Sequence, residues 1–142
     1  MKKKILTLVL TLAGGALAAQ TIEVTDAWVR ASVPGQTATG AYMKIRARDG
    51  ATLVGVSSPV AGVTQIHEMK IQGGVMKMHA VAMDLAIPAG QTLELKPGGY
   101  HVMLLDLKSA LMKDSTVTMT LVFKDTQGRS SKMELTVPVV LH

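Results

Sequence analysis

Short runs with the period of β-strands extend from residue 22 to the end of the chain, and they restrict the fold more than any other feature of the sequence. Turn signals rich in Gly, Pro, Asp and Ser separate the runs, and no segment has the apolar spacing of a long amphipathic helix. In the first run Trp28 alternates in phase with Ile22 and Val24. The pattern predicts a single antiparallel β domain, a sandwich or barrel. The clearest runs are residues 22–29, 41–46, 116–124 and 132–141.

The N-terminal residues have the layout of a secretory signal peptide. Lys2–Lys4 is followed by the apolar run Ile5–Ala13 and by Ala16-Leu17-Ala18, a cleavage signature of small residues. The apolar run is shorter than the roughly 20 residues that a membrane-spanning helix needs. We therefore expect a signal peptide at residues 1–18, a mature domain at residues 19–142 and export to the periplasm. No cysteine follows the apolar run, so no lipid anchor is expected.

Charge and composition exclude several classes of function. Without the three lysines of the signal peptide the formal charge falls from +5 to +2, which gives no basic patch for nucleic acid. The absence of cysteine excludes a blue-copper centre and thiol catalysis. No nucleophile elbow or metal-water motif suggests an enzyme. No later segment is long and apolar enough to span a bilayer, and we expect a monomer.

The pair Gly73-Gly74 predicts a hairpin, because glycine tolerates the positive φ angles of two-residue turns. In that register Met69 lies opposite Met78, and His67 lies opposite Ala80. Because alternate residues of a strand share a face, these side chains lie on one side of the hairpin. His67 and Met78 are then diagonal neighbours that can reach a common point.

The segment from residue 100 to residue 107 repeats this pattern, because His101 and Met103 are two residues apart. If its strand lies beside the hairpin, two imidazoles and two thioethers converge. His79 points to the opposite face, and a shift of one residue in register would disperse the cluster. Thioether sulfur is soft and neutral, so a mixed His/Met set favours Cu(I) over zinc, magnesium and calcium.

Methionine is also a common filler of hydrophobic cores, so the residues alone leave a second interpretation open. In that interpretation the chain is an interaction module without a metal. We expect Met43, Met112, Met119 and Met133 to fill the core. Met69 and Met76 either fill the core or, in the case of Met69, assist a metal site.

Several blocks of the sequence resemble the PCu(A)C periplasmic copper chaperones, and the resemblance covers nearly all of the mature chain. Ten residues separate His67 from Met78, as in that family, and twenty-two separate Met78 from His101, one more than its pattern. The additional residue falls near Asp84, before a predicted turn. The blocks are HEM at residues 67–69, GVMKM at 74–78, IPAG at 87–90, KPGGYHVML at 96–104, and, earlier, DAWVRA at 26–31 and TGAY at 39–42.

The resemblance implies a cupredoxin-like Greek-key β-sandwich that holds one Cu(I) per chain between His67, Met78, His101 and Met103. It implies delivery of copper to the Cu(A) site of cytochrome c oxidase subunit II, often together with a Sco-like protein of thioredoxin fold. A passive periplasmic copper buffer would use the same ligands. The remaining blocks predict supporting roles. Trp28 and Arg30 determine the fold, and Glu68 is solvated. Tyr100 shields the site, supports a ligand residue from behind, or packs in the core.

Overall fold

The computed structural model describes residues 21–81 and 84–141, so the predicted signal peptide lies outside the described residues. The described chain forms ten strands, which confirms the prediction of an all-β domain. Within that part of the chain no helix is long and apolar enough to cross a membrane. The strands are β1 (Ile22–Arg30), β2 (Ala38–Ala47), β3 (Ala51–Ser57), β4 (Ala61–Gln72), β5 (Val75–Val81), β6 (Leu85–Ile87), β7 (Thr92–Leu95), β8 (His101–Leu107), β9 (Thr116–Lys124) and β10 (Ser130–Val140).

The strands follow one hydrogen-bonded path in the order β5-β4-β8-β2-β1-β10-β9-β3-β6, and β7 also pairs with β2. The described pairs are antiparallel except for β1 with β10, which run parallel where Val29 and Arg30 meet Val139 and Val140. Buried side chains from both halves of the path form one core cluster. The two halves therefore pack face to face as a sandwich.

Alternation along β4 and β8 assigns one face to this core. Ile66, Val102 and Leu104 are fully buried in the core cluster. Because successive side chains point to opposite faces, His67 and His101 belong to the outer face of the same sheet. The candidate metal ligands are thus supported from below by a packed apolar layer.

A β-bulge in β1 changes the predicted face of Trp28. Three steps from Thr25 to Trp28 match only two steps on β2, and Asp26 has a φ of 54°. The additional residue reverses the alternation, so Val29 is fully buried, whereas Trp28 pairs with Tyr42 on the outer face. The prediction that Trp28 shares a face with Ile22 was therefore wrong.

The methionines expected to fill the core do so in part. Met43 and Met119 are at most 1% exposed, and Met133 packs against the core cluster. Met112 is 65% exposed, because it lies in the connection between β8 and β9 and not on a strand. For Met112 the prediction was wrong.

Candidate functional site

The hairpin of β4 and β5 has the predicted register. Its turn residues Gly73 and Gly74 have φ angles of 60° and 81°, in the region that glycine adopts without strain. Met69 lies opposite Met78, and His67 lies opposite Ala80. His79 pairs with Glu68 in the backbone register. The His79 side chain is not among the described parts of the structure, so its orientation toward the opposite face stays a prediction.

The neighbouring strand β8 brings the second pair of candidate residues to the hairpin. His101 lies directly opposite His67, and Met103 lies directly opposite Gln65. Residues directly opposite each other in an antiparallel pair share a face of the sheet. His67, Met78, His101 and Met103 therefore lie on one face, as the sequence pattern required for a common site.

The imidazole of His101 is oriented by the loop that precedes β8. His101 is 5% exposed, and its Nδ1–H donates to the Gly99 carbonyl oxygen over 2.9 Å. A carbonyl oxygen only accepts, so in the neutral ring Nε2 is the nitrogen with the free lone pair. Nε2 lies 3.1 Å from the sulfur of Met78. A backbone contact on the far nitrogen of a histidine is the usual support of a metal-binding imidazole.

The His67 ring is held differently. Its Nε2 lies 2.9 Å from Oε1 of Gln65, which accepts the hydrogen of that nitrogen. In the neutral ring the lone pair is then on Nδ1, an atom shielded from solvent. The ring centroids of His67 and His101 are 6.1 Å apart.

A cleft of about 300 Å³ opens above these residues, and its lining differs from the predicted ligand set. Met78, His101 and Met103 line it, but His67 does not, and Met69 does. The prediction left Met69 between core filling and assistance to the site; in the structure it lies in the cleft wall. The cleft is lined by Arg30, Gln36, Ala38, Thr39, Gly40, Tyr42, Met69, Met78, Pro97, Gly98, His101 and Met103.

Tyr42 and Arg30 form one wall of the cleft, and Trp28 packs against both outside the lining; the sequence pattern did not place these three residues at the site. The Trp28 and Tyr42 rings are 4.5 Å apart, and the Tyr42 ring is 6.0 Å from that of His101. The Arg30 guanidinium lies 5.4 Å from the Tyr42 centroid, within cation–π range. The bulge in β1 turns Trp28 and Arg30 toward this face, and strict alternation along the sequence gives no sign of it.

The charge of the lining disfavours divalent ions. Among the described residues that line the cleft there is no carboxylate, and Arg30 is positively charged. Repulsion between Arg30 and a bound cation is twice as large for a divalent ion as for a monovalent one at the same place. In residues 21–81 and 84–141, moreover, no three His, Cys, Asp or Glu side chains group as a metal site. The cleft thus favours a soft monovalent cation.

On the opposite face of β4, Glu68 contacts Tyr100, the residue before His101. Glu68 keeps 20% of its side chain exposed and lies 3.8 Å from Lys70, so it is less solvated than expected. Its negative charge, and then its hydrogen bond with the Tyr100 hydroxyl, raise the pKa of Tyr100 above the ordinary value. Tyr100 also packs against the core. Tyr100 therefore connects β4 to the start of β8 and supports the position of His101.

Comparison with known proteins identifies similar sequences. Residues 22–139 match the model of the LpqE-like family, which is described as a family of predicted lipoproteins. Lxx21020 of Leifsonia xyli subsp. xyli, also described as a predicted lipoprotein, is 38% identical over 104 residues. The match covers 73% of this chain and 63% of the relative, so the chain spans less than two thirds of that protein.

Solved structures with the same fold include a Cu(I)-bound protein and a PCuAC domain. The solution structure of Cu(I)-DR1885 from Deinococcus radiodurans is 34% identical, with 86% of this chain and 81% of that chain covered and a TM-score of 0.59. The apo PCuAC domain from PmoF1 has a TM-score of 0.67, with 86% and 95% covered. At 24% identity the second likeness shows the fold alone. The predicted cupredoxin-like architecture is confirmed.

Proposed function

Because this chain belongs to the LpqE-like family, a PCuAC-type family, we propose that it is an exported copper carrier of the cell envelope that binds one Cu(I). The periplasm is the proposed compartment, since the N-terminal residues have the pattern of a signal peptide. Cu(I) is the proposed cargo because a relative of 34% identity has been solved with Cu(I). The proposal assigns no catalysis to the chain.

One observation carries the proposal: an imidazole lone pair and a thioether sulfur, His101 Nε2 and Met78 Sδ, lie 3.1 Å apart in a cleft whose described lining contains no carboxylate. Both donors are neutral, and the sulfur selects soft ions. Met103 adds a second sulfur from the same lining, and His67 adds a second imidazole from the neighbouring strand. We assign Cu(I) to these four side chains.

Neutral ligands suit a carrier better than a permanent store. Thioethers bind Cu(I) without losing a proton, whereas thiolates are charged and bind it more strongly. A thiolate of a partner can therefore displace the sulfurs of Met78 and Met103 one after the other. The copper stays Cu(I), and the only proton released comes from the partner's thiol.

We propose the Cu(A) site of cytochrome c oxidase subunit II as the acceptor, with a Sco-like protein of thioredoxin fold as a cooperating partner. Both present cysteine sulfur, which fits the direction of transfer from thioether to thiolate. The exposed position of Met78, at 47%, gives an approaching cysteine access to the ion.

The ligand assignment is tested by competition with a Cu(I) chelator under anaerobic conditions. The Met78→Leu/Met103→Leu variant should bind Cu(I) more than about tenfold more weakly, which is about 1.4 kcal/mol. Met112→Leu is the matched control, since Met112 is exposed but lies outside the cleft. Unchanged affinity after replacement of all four proposed ligands would refute the assignment.

Transfer distinguishes a carrier from a passive buffer. The copper-loaded chain is mixed with the reduced apo Cu(A) domain, and metallation is followed against the same concentration of chelator-buffered Cu(I). A carrier metallates the domain faster than buffered copper does. Equal or slower metallation would favour the buffer, which shares the ligands but makes no productive contact with the acceptor.

A further inference from the structure

We propose, on the basis of the proposed function, that Met69 is an additional Cu(I) ligand, which binds the ion during capture and release before His67 does. The cleft wall contains Met69 together with Met78, His101 and Met103, whereas His67 is not part of that wall. The donors that an arriving ion meets are therefore three thioethers and one imidazole.

The backbone register places Met69 where it can share an ion with Met78. The two residues are directly opposite each other across β4 and β5, so their Cβ atoms are about 5 Å apart and their side chains point to the same face. Met78 in turn is in contact with His101 Nε2. Met69 is thus next to the His101–Met78 pair without any change of register.

The His67 ring makes a hydrogen bond to Gln65 in the same structure. Its Nε2–H donates to Gln65, and this hydrogen bond fixes the orientation of the ring. Coordination by His67 must therefore follow a rearrangement of that ring or use of its shielded Nδ1. Met69 needs no such step, because a thioether has no proton and makes only a weak competing hydrogen bond.

Exposure decreases from the hairpin tip into the cleft. Met76 and Met78 are 54% and 47% exposed, Met69 is half-buried, and His101 is 5% exposed. Since β8 begins at His101, no described strand pairs with β4 or β5 beyond that point, and the Met69 N–H bonds instead to the Gly99 carbonyl oxygen at 3.4 Å. A ligand at position 69 lies between solvent and the buried imidazole.

The step is ligand exchange at constant oxidation state. Cu(I) first binds His101 with the thioethers of Met69, Met78 and Met103. The sulfur of Met69 then leaves as a His67 nitrogen lone pair binds, and release reverses the order. No electron is transferred and no covalent bond of the protein is made or broken.

The test uses the wild-type chain with ¹³C-labelled methionine methyl groups, titrated with Cu(I) without oxygen. We expect the Met69 methyl signal to shift together with those of Met78 and Met103, while the Met112 signal stays in place. In stopped-flow transfer to a chelator, Met69→Leu should slow release by about tenfold, equivalent to about 1.4 kcal/mol in the barrier. Its equilibrium affinity should change less than that of Met78→Leu.

Met76→Leu is the matched control, because Met76 lies on the same hairpin face but outside the cleft lining. It should release copper at the wild-type rate. An unmoved Met69 signal, or an unchanged release rate in Met69→Leu, overturns the proposal even if Cu(I) binds as proposed. No Cu(I) uptake by the wild-type chain overturns the proposed function itself, so the two failures are distinguishable.

Discussion

Gly40→Ala should destabilise the protein by forcing Tyr42 out of its position beside the metal site. A Cβ atom at position 40 would overlap the Tyr42 hydroxyl oxygen and lie 2.7 Å from Cζ of that ring. Gly40 lies within β2 and not at a turn, so the conflict is with the side chain alone. The ring cannot give way freely, because it is 5% exposed and packed 4.5 Å from the ring of Trp28.

The expected loss of stability follows from the packing contacts that Tyr42 would lose. Overpacking a dense site costs about 1–3 kcal/mol. Separating an aromatic pair such as Tyr42 and Trp28 costs a further 0.5–1.5 kcal/mol, roughly. We expect Gly40→Ala to lower the free energy of unfolding by about 2 kcal/mol. Because the Tyr42 ring lies 6.0 Å from that of His101, the variant should also weaken Cu(I) binding.

Urea unfolding followed by tryptophan fluorescence measures this effect directly, since Trp28 is the one tryptophan of the chain. Gly55→Ala is the matched control: its Cβ would meet Val122 at 3.5 Å, an ordinary contact, so stability should change little. In a Tyr42→Ala background Gly40→Ala should cost nothing. If Gly40→Ala is as stable as Gly55→Ala, the argument from Tyr42 is wrong.

Two further predictions concern parts of the molecule away from the cleft. The backbone N–H of Arg129, and to a smaller extent its guanidinium, lower the pKa of Asp125 below the ordinary value. The ionised Asp125 therefore stabilises the folded state above about pH 4, and this stabilisation is lost as the pH falls through the lowered pKa. Asp125→Asn should therefore reduce stability at pH 7 and approach wild type at pH 2 in urea unfolding; a constant difference would contradict this. Ser32 accepts a hydrogen bond from Leu111 N–H at 2.8 Å in a buried position, so Ser32→Ala should cost about 1–3 kcal/mol in the same assay. The exposed Ser109→Ala should be neutral, and equal stability of both variants would refute the role of Ser32.

Local patterns in the sequence were sufficient for the hairpin and for part of the strand layout. The Gly73-Gly74 turn sets the register between β4 and β5, and period-two alternation then places Met69 and Met78 on one face. The strand Thr116–Lys124 has the predicted bounds, and the last strand begins at Ser130, two residues before the predicted start. These features depend on neighbours in the chain, so short-range preferences decide them.

Only the tertiary structure decided the surroundings of the site. The pairing of His67 with His101 requires β4 to lie beside β8. Which strands become neighbours cannot be predicted from local sequence when long connections join them. The bulge at Asp26, which turns Trp28 and Arg30 to the outer face of the sheet, is likewise fixed by pairing with β2. The sequence determined which donors share a face of the hairpin, because alternation is local. The structure determined which side chains enclose them, because enclosure is a property of strands distant in the chain.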